Sequence, residues 1–256
     1  MGLAPGSTDN GQICPKCRGG SSHDKAFAIT RAASGEVLFK CHRASCGFGG
    51  VLRSHAQPSK PNRSPFVSRQ FEYPTRGLDA GDYGFFWDRF QLPAEHISRV
   101  AGWSYCPERC RYVYTVFSPH RECRGVVARS YRDGVRPKVD TFREAEGPFI
   151  SWYYPPDVPS LNILCVEDIV SAVKAAQYTT SVALGGTHLS EEMVWEITRI
   201  AEDRPILLAL DQDATTKAVN FAKKYALWGN FQVVPLSKDI KDMPNEVIKR
   251  IVYALV

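Results

Sequence analysis

The sequence has no apolar run that approaches the roughly 20 residues a transmembrane helix needs. Its first residues, MGLAPGSTDNGQ, lack the charged start and apolar core of a secretory signal. It also has no G-x-x-x-x-G-K-[S/T] sequence, so we expect no P-loop motor within it. These absences predict a soluble, cytoplasmic protein that has no membrane partner.

The composition indicates two modest domains with real cores, because hydrophobic residues make up 44% of the 256 residues. The charge is distributed unevenly along the chain. Residues 1–76 contain 11 Lys and Arg against 4 Asp and Glu, whereas residues 158–256 contain 10 against 12. A basic front part ahead of an acidic back part favours a polyanionic partner.

The eight cysteines favour metal binding over disulfides, because a chain of this length can fold on its core. Cys14 and Cys17 form one knuckle, Cys41 and Cys46 form a second, and the segment between them is predicted to be a β-hairpin. Four thiolates at such spacing can close a tetrahedral site. We therefore predict a zinc ribbon in which these cysteines bind a structural Zn²⁺, with His42 as an alternative to one of them.

The other cysteines give weaker signals. Cys106, Cys110 and Cys123 are irregularly spaced and have no clear fourth ligand, which disfavours a second zinc site but leaves it open. Cys165 lies within a predicted strand, where a buried thiol is expected.

Three short apolar runs in residues 161–242 each lead to acidic residues. The runs are Asn162–Val166, Ile206–Leu210 and Phe231–Val234, and helical patterns separate them. This alternation predicts a mostly parallel sheet, in which functional groups gather beyond the carboxyl ends of the strands. Carboxylate oxygens suit hard divalent cations, so we predict a Mg²⁺ or Mn²⁺ site there. Its candidate ligands are Glu167, Asp168, Asp211, Asp213 and Asp242, with Asp239 close by.

A basic region precedes this acidic one. Residues 82–100 predict two short helices broken at Leu92-Pro93, and Tyr112–Phe117 and Arg124–Tyr131 alternate like paired strands. Residues 109–138 contain 8 basic and 2 acidic side chains. Because neighbouring side chains of a strand point to opposite faces, not all of the basic ones can line one groove. The candidates for nucleotide or template binding are Arg124, Arg129, Arg132, Arg136 and Lys138.

The acidic region resembles a TOPRIM domain, the catalytic fold of bacterial-type primases, topoisomerases and some nucleases. The resemblance rests on Glu167 after the first strand, the Asp211-x-Asp213 pair and the Gly185-Gly186 turn. It implies that Glu167 is an acid/base or metal-site residue and that Asp211 and Asp213 bind the catalytic metal. Many relatives have an acid where this chain has Ser171, and Asp168 would partly compensate.

Other segments resemble DNA primases of the phage and bacterial type. The cysteine ribbon is similar to their N-terminal zinc module, and Lys241-Asp242 is similar to a segment near the end of their TOPRIM domains. The strand Gly125–Arg129 and the basic turn after it resemble the groove that holds template and nucleotide phosphates. The resemblance implies that Arg129 and Lys138 contact triphosphate or template, with Lys138 counted among the catalytic residues.

We therefore expect an α/β chain with four parts. These are a zinc ribbon (1–51), a flexible basic linker (52–77), a basic α+β subdomain of the polymerase core (78–157) and a TOPRIM parallel-sheet domain (158–256). The expected function is synthesis of short RNA primers on single-stranded DNA from ribonucleoside triphosphates. The lack of a motor suggests a phage protein in the host cytoplasm and a separate replicative helicase as a further partner. A non-catalytic recombination mediator and a TOPRIM nuclease remain as alternatives.

Overall fold

The computed structural model describes residues 3–33, 36–52, 68–157 and 159–254. The chain divides into two compact units, residues 1–65 and 66–256. The larger part of the predicted linker, residues 53–67, lies outside the described residues. Among the described helices, none has the length and apolar character needed to cross a membrane.

The first unit is a four-stranded antiparallel sheet whose strands follow one another in chain order. Three phenylalanine rings, at Phe27, Phe39 and Phe48, pack together with centroids 5.3–6.1 Å apart and form its small apolar core. The central hairpin matches the one predicted between the two cysteine knuckles. The strands are β1 (Thr8–Gln12), β2 (Phe27–Arg31), β3 (Val37–Cys41) and β4 (Gly49–Leu52).

The second unit begins with the predicted helix pair, α1 (Ala80–Phe90) and α2 (Ala94–Val100). A capping box fixes the start of α1, because Asp79 and Asp82 each accept a hydrogen bond from the backbone N–H of the other. Pro93 ends the connection and sets the start of α2. Phe86 and Phe90 are buried and belong to the core of this unit.

An antiparallel sheet of five strands follows in the order β5-β6-β7-β8-β9. The two strands predicted from alternation are its centre, and β7 pairs with β8 along its whole length, with one irregularity near Phe117. The strands are β5 (Arg76–Gly77), β6 (Trp103–Cys106), β7 (Arg111–Phe117), β8 (Cys123–Arg129) and β9 (Val139–Arg143).

Residues 68–77 differ from the predicted flexible linker, because they pack on this sheet. Arg69 forms an ion pair with Asp140, and the ring of Phe71 meets that of Phe142 edge-on at 5.0 Å. β5 adds two residues to the sheet edge by pairing with β6. The Pro, Ser and charge content suggested a linker, but one partly buried aromatic side chain and one paired arginine attach the segment to the sheet.

The second sheet of this unit confirms the predicted α/β class. Its strand order is β10-β12-β11-β13-β14, with all neighbours parallel except the antiparallel edge strand β10. The strands are β10 (Ser151–Tyr153), β11 (Ile163–Val166), β12 (Thr180–Ala183), β13 (Ile206–Leu208) and β14 (Phe231–Val233). The helices are α3 (Ile169–Ala175), α4 (Glu191–Ala201), α5 (Thr215–Lys224) and α6 (Asn245–Ala254).

Both faces of the parallel sheet are covered, which explains why its strands are apolar without alternation. One face shares a core with α1, α2 and the antiparallel sheet, through residues such as Phe86, Tyr114 and Leu164. The other face packs with α4 and α5 around Trp152 and Ile197. The shared core fixes the two sheets against each other and so positions the cleft between them.

Candidate active site

A cleft of about 580 Å³, which we call the main cleft, lies between the two sheets of the second unit. The carboxyl ends of β11, β12 and β13 form its acidic side, and β8 and β9 form the opposite side. Its charged lining comprises Glu167, Asp168, Asp211, Asp239, Lys241, Arg129 and Arg143. The structure thus brings together, from distant parts of the sequence, most of the predicted acids and one predicted phosphate contact.

Glu167 and Asp211 form the centre of the acidic side. They follow the neighbouring parallel strands β11 and β13, and the backbone N–H of Asp211 donates to Glu167 Oε1 at 3.0 Å. Burial and the nearby Glu167 carboxylate raise the pKa of Asp211 to about 7. Burial also raises the pKa of Glu167, and the carboxylates of Asp213 and Asp239 add to this shift against the opposing Asp211 hydrogen bond.

This arrangement fits a divalent cation. Burial and neighbouring carboxylates raise the pKa values of both Glu167 and Asp211, so their ionised forms are disfavoured unless a cation lies beside them. A hard cation such as Mg²⁺ binds one or two carboxylates and completes its shell with water and phosphate oxygens. In the described ranges, the acids do not form a closed cage with all oxygens within 4.8 Å of one another.

Asp213 and Asp242 lie at the edge of this group. Asp213 is exposed in a 3₁₀ turn, Gln212–Ala214, that follows Asp211, and its charge still reaches Glu167. Asp242 is exposed at the end of a second 3₁₀ turn, Ile240–Asp242. Neither is among the residues that line the main cleft.

Asp168 already has partners. It is the N-cap of α3, where one carboxylate oxygen accepts from the Ser171 backbone N–H and the other from the Ser171 hydroxyl, both at 3.0 Å. The second oxygen also lies 2.9 Å from Lys241 Nζ. Burial opposes ionisation of Asp168, but the Lys241 ammonium and the Ser171 hydrogen bond together outweigh it and lower the pKa of Asp168. These contacts argue against the predicted role of Asp168 as a metal ligand.

Two glycines of the predicted turn shape the floor of the main cleft. Gly185 and Gly186 follow β12 with φ of 73° and 154°, values that favour glycine. The backbone N–H of Gly185 donates to the carbonyl of Glu167 at 2.9 Å. The turn therefore holds the backbone at the end of β11, from which the Glu167 side chain projects.

A smaller basic pocket of about 270 Å³ lies beside the main cleft. Arg129 and Lys241 line both cavities. Of the predicted phosphate contacts, Arg132 and Lys138 also line the basic pocket, whereas Arg136 is exposed and is not among its lining residues. Arg89 from α1 was missed by sequence reasoning, because it reads as an ordinary charge on an exposed helical face.

Arg124 does not belong to this basic surface. It forms a bidentate ion pair with Glu196 of α4, with nitrogen–oxygen distances of 2.9 and 2.6 Å. The Glu196 carboxylate also accepts from Trp152 Nε1, and the two charged side chains are only 13% and 6% exposed. Arg124 therefore ties the two sheets together and is not available to phosphate, in contrast to the prediction. Because successive side chains of β8 point to opposite faces of the sheet, Arg124 and Arg129 lie in different surroundings.

Gly125, the first residue of the predicted G-x-x-x-R strand, has a structural reason to be glycine. Its φ is +135°, and a Cβ built there would lie 2.0 Å from the carbonyl oxygen of Phe142. The close approach lets β8 pair with β9 at this point. Gly125 thus fixes the strand that carries Arg129.

The four predicted zinc ligands converge in the first unit. The sulfurs of Cys14 and Cys46 are 3.7 Å apart, those of Cys17 and Cys41 are 3.8 Å apart, and all four lie within 4.8 Å of one another. A tetrahedral Zn–S₄ site has sulfurs about 3.8 Å apart. The cluster therefore fits a zinc ribbon, with the cysteines rather than His42 as the ligand set.

The remaining cysteines do not form a comparable group within the described part of the chain. Cys106 is buried in a small core with Val113 and Phe142, whereas Cys123 is exposed. Cys165 is fully buried in β11, as predicted.

Sequence reasoning also missed Lys174, a buried lysine on α3. Only 1% of this residue is exposed, and its Nζ donates to the backbone carbonyls of Lys241 at 3.0 Å and Met243 at 2.5 Å. Burial lowers its pKa to about 8. In the sequence, Lys174 looks like a polar residue on an amphipathic helix, because the contacts that explain it are with residues almost 70 positions away.

Comparison with known proteins gives structural neighbours alone. No family model and no curated protein matches the chain. The zinc-binding and RNA polymerase domains of the Aquifex aeolicus primase superpose with a TM-score of 0.51 at 13% identity, covering 69% of this chain. This chain spans 56% of that one. The likeness shows that the fold is that of a primase zinc-binding and polymerase core.

Two further solved structures have lower TM-scores. A DnaG primase catalytic domain bound to single-stranded DNA has a TM-score of 0.48 at 19% identity, with 66% of this chain and 68% of that chain covered. The RNA polymerase domain of the Mycobacterium tuberculosis primase has a TM-score of 0.43 at 18% identity, with 56% and 54% covered.

Proposed function

We propose that this protein is a DNA primase that makes short RNA primers on single-stranded DNA. The observation that carries the proposal is the main cleft, where Glu167 and Asp211 face Arg129 across a space large enough for a nucleotide. An acidic edge that needs a cation and a basic wall that suits phosphate are the two halves of a phosphoryl-transfer site. The primase-like fold supports the proposal.

On this proposal, Glu167, Asp211 and Asp213 hold Mg²⁺ or Mn²⁺. The bound metal would polarise the α-phosphate of the incoming nucleotide and favour the alkoxide form of the attacking 3′ hydroxyl. Glu167, with its raised pKa, is the side chain suited to accept the hydroxyl proton. Asp242, at the exposed edge of the same acidic group, would be a further ligand of this metal.

Arg129, Arg132 and Lys138 bind the triphosphate or the template backbone in this scheme. Arg129 lines both cavities and so can reach a phosphate chain that extends from the main cleft into the basic pocket. A guanidinium can bind two phosphate oxygens at once, whereas the ammonium of Lys138 acts as a point charge. Arg136 would contact the template on the exposed side of the turn.

In the first unit, we propose that the four cysteines bind a structural Zn²⁺. A sheet whose core rests on three phenylalanines buries too little apolar surface to be stable alone, so the metal would supply much of its folding energy. The basic residues around it would then follow the DNA backbone electrostatically.

Template-directed synthesis on single-stranded DNA tests the proposal. The assay supplies four ribonucleoside triphosphates, one radiolabelled, with Mg²⁺ or Mn²⁺. Wild-type protein is expected to make short labelled RNA, and Asp211→Asn is expected to abolish it, because the metal loses a charged ligand. Asp203→Asn, a change at an exposed turn after α4, is the matched control and should retain synthesis.

Other outcomes would contradict the proposal in identifiable ways. Tight DNA binding without any product would favour a recombination mediator. Shortened template would favour a metal-dependent nuclease. Synthesis that survives in Asp211→Asn would place the reaction elsewhere in the molecule.

A further inference from the structure

Lys241 is a cation enclosed within the acidic side of the main cleft. Its Nζ lies 2.9 Å from Asp168 Oδ2 and forms a second, shorter ion pair with Asp239. The side chain is 13% exposed. The Lys241 ammonium therefore already forms ion pairs with two of the carboxylates in the cleft.

The backbone that carries Lys241 is fixed on α3 by side chains. The buried ammonium of Lys174 donates to the carbonyls of Lys241 and Met243, on both sides of Asp242. The Lys241 backbone N–H donates to the hydroxyl of Ser171 at 3.3 Å. That hydroxyl in turn donates to Asp168. Lys174 and Ser171 thus hold the turn so that its lysine points into the cleft.

Charge balance explains why Ser171 suits this arrangement. A carboxylate at position 171 would lie against Asp168 and repel it, whereas a hydroxyl can donate to Asp168 and accept from Lys241. Asp168 also caps α3, which stabilises its negative charge without any metal. The acids of the cleft therefore fall into a pair, Asp168 and Asp239, that forms ion pairs with Lys241, and a pair, Glu167 and Asp211, that forms no ion pair within the described residues.

We propose that Lys241 is a built-in counter-ion that keeps Asp168 and Asp239 from binding metal, and that Lys174 is the residue that positions it. The divalent cation then binds on the side of Glu167 and Asp211. The inference rests on the proposed metal-dependent function. It is specific in predicting that removal of one lysine creates metal-binding capacity instead of destroying it.

Binding of Mn²⁺ to the whole zinc-loaded chain tests this directly, with free Mn²⁺ counted by electron paramagnetic resonance. Lys241→Gln is expected to bind Mn²⁺ about tenfold more tightly, or to bind one additional ion, because one positive charge is lost and two carboxylates are released. Adding Asp168→Asn to Lys241→Gln should remove most of that gain. Lys223→Gln, on the exposed end of α5, is the matched control and should bind as wild type does.

The positioning role of Lys174 has its own readout. The lysine ammonium signal of Lys241 is identified in ¹⁵N NMR spectra by its loss in Lys241→Gln. Lys174→Met is expected to shift or broaden that signal and to move Mn²⁺ binding towards the Lys241→Gln result. An unchanged Lys241 signal in folded Lys174→Met protein would overturn the positioning role.

The failure of this inference is distinguishable from that of the proposed function. Identical Mn²⁺ binding by wild type and Lys241→Gln would overturn the counter-ion role while leaving metal-dependent synthesis in place. Absence of Mn²⁺ binding to the cleft in every variant would overturn both.

Discussion

At the scale of single residues, ionisation of the carboxyl groups on the acidic side of the main cleft is unfavourable. Glu167 and Asp211 lie on adjacent strand ends and are partly buried. Burial and neighbouring carboxylates raise the pKa of both, and Glu167 is one of the carboxylates that raise the pKa of Asp211. Such strain costs stability and persists where a site needs a poised cation or proton acceptor. The neighbouring Asp168 has the opposite behaviour, because Lys241 lowers its pKa.

The raised pKa of Asp211 predicts a pH-dependent stability. The folded state binds the Asp211 proton more tightly than the unfolded chain does, so stability is lost as the pH rises from about 4 towards the folded pKa of about 7. Without added divalent metal, Asp211→Asn should therefore be more stable than wild type at pH 8, by about 1–2 kcal/mol after allowance for solvent screening. At pH 5 the difference should shrink.

Urea unfolding monitored by tryptophan fluorescence measures this effect in the second unit, because all five tryptophans lie in residues 66–256. Addition of Mg²⁺ should stabilise wild type more than Asp211→Asn. Equal stability of the two proteins at pH 8 would show that ionisation of Asp211 does not destabilise the folded state.

Arg124 gives the second prediction at this scale. Arg124→Met would leave the buried Glu196 carboxylate without its cation, which is expected to lower the free energy of unfolding by about 3–5 kcal/mol. The exposed Arg132, changed to Met, should shift it by less than about 0.5 kcal/mol. Full stability in Arg124→Met, with weakened nucleotide binding, would restore Arg124 as a phosphate contact.

Some residues could be predicted from the sequence and others could not, for physical reasons. The zinc cysteines and the acids after strands are local patterns, because spacing alone brings the ligands to one knuckle or one sheet edge. The ion pairs of Lys241 and Arg124 depend on which distant side chain lies opposite, as with Arg124 and Glu196, 72 positions apart. Reading Arg124 as a phosphate contact was wrong for this reason, and Lys174 gave no signal at all.

At the scale of elements, the helices and central strands follow their sequence patterns closely. The helix break at Leu92-Pro93 and the pairing of β7 with β8 are confirmed. The parallel strands are shorter than their apolar runs, since β13 ends at Leu208 and leaves Leu210 in the approach to Asp211. The main error is at residues 68–77, where an edge strand follows a segment that reads as linker.

The cysteine ribbon gives the prediction at this scale. Cys46→Ser should lower zinc content from about one ion per chain and unfold residues 3–52, because three thiolates bind the metal far more weakly than four. Cys123→Ser, at an exposed cysteine outside the cluster, should change neither the zinc content nor the folding of these residues.

Zinc analysis together with ¹⁵N NMR spectra checks both variants, since the first unit has no tryptophan to report on it. Dispersed signals from the ribbon in metal-free protein would contradict a structural role for the metal. Tryptophan fluorescence of the second unit should stay unchanged in Cys46→Ser.

At the scale of the whole molecule, the chain combines a cysteine-bound ribbon with a two-sheet unit in the fold of a primase zinc-binding and polymerase core. The shared core of the two sheets explains how residues from β8, β11 and β13 meet in one cleft. In this unit, the acids and Lys241 lie on one side of the cleft, and Arg129 and Arg143 lie on the other. The primer synthesis that we propose would use both sides at once.

The most direct test of this account is the fate of the γ-phosphate during synthesis on a circular single-stranded DNA, which has no 3′ end to extend. A primase begins a chain with an intact nucleoside triphosphate and releases pyrophosphate at each later step. We expect short products labelled by α-³²P nucleotides throughout and by γ-³²P nucleotides once per chain, with both labels lost in Asp211→Asn. Products without γ-label, or no products from protein that binds both metal and DNA, would contradict the account.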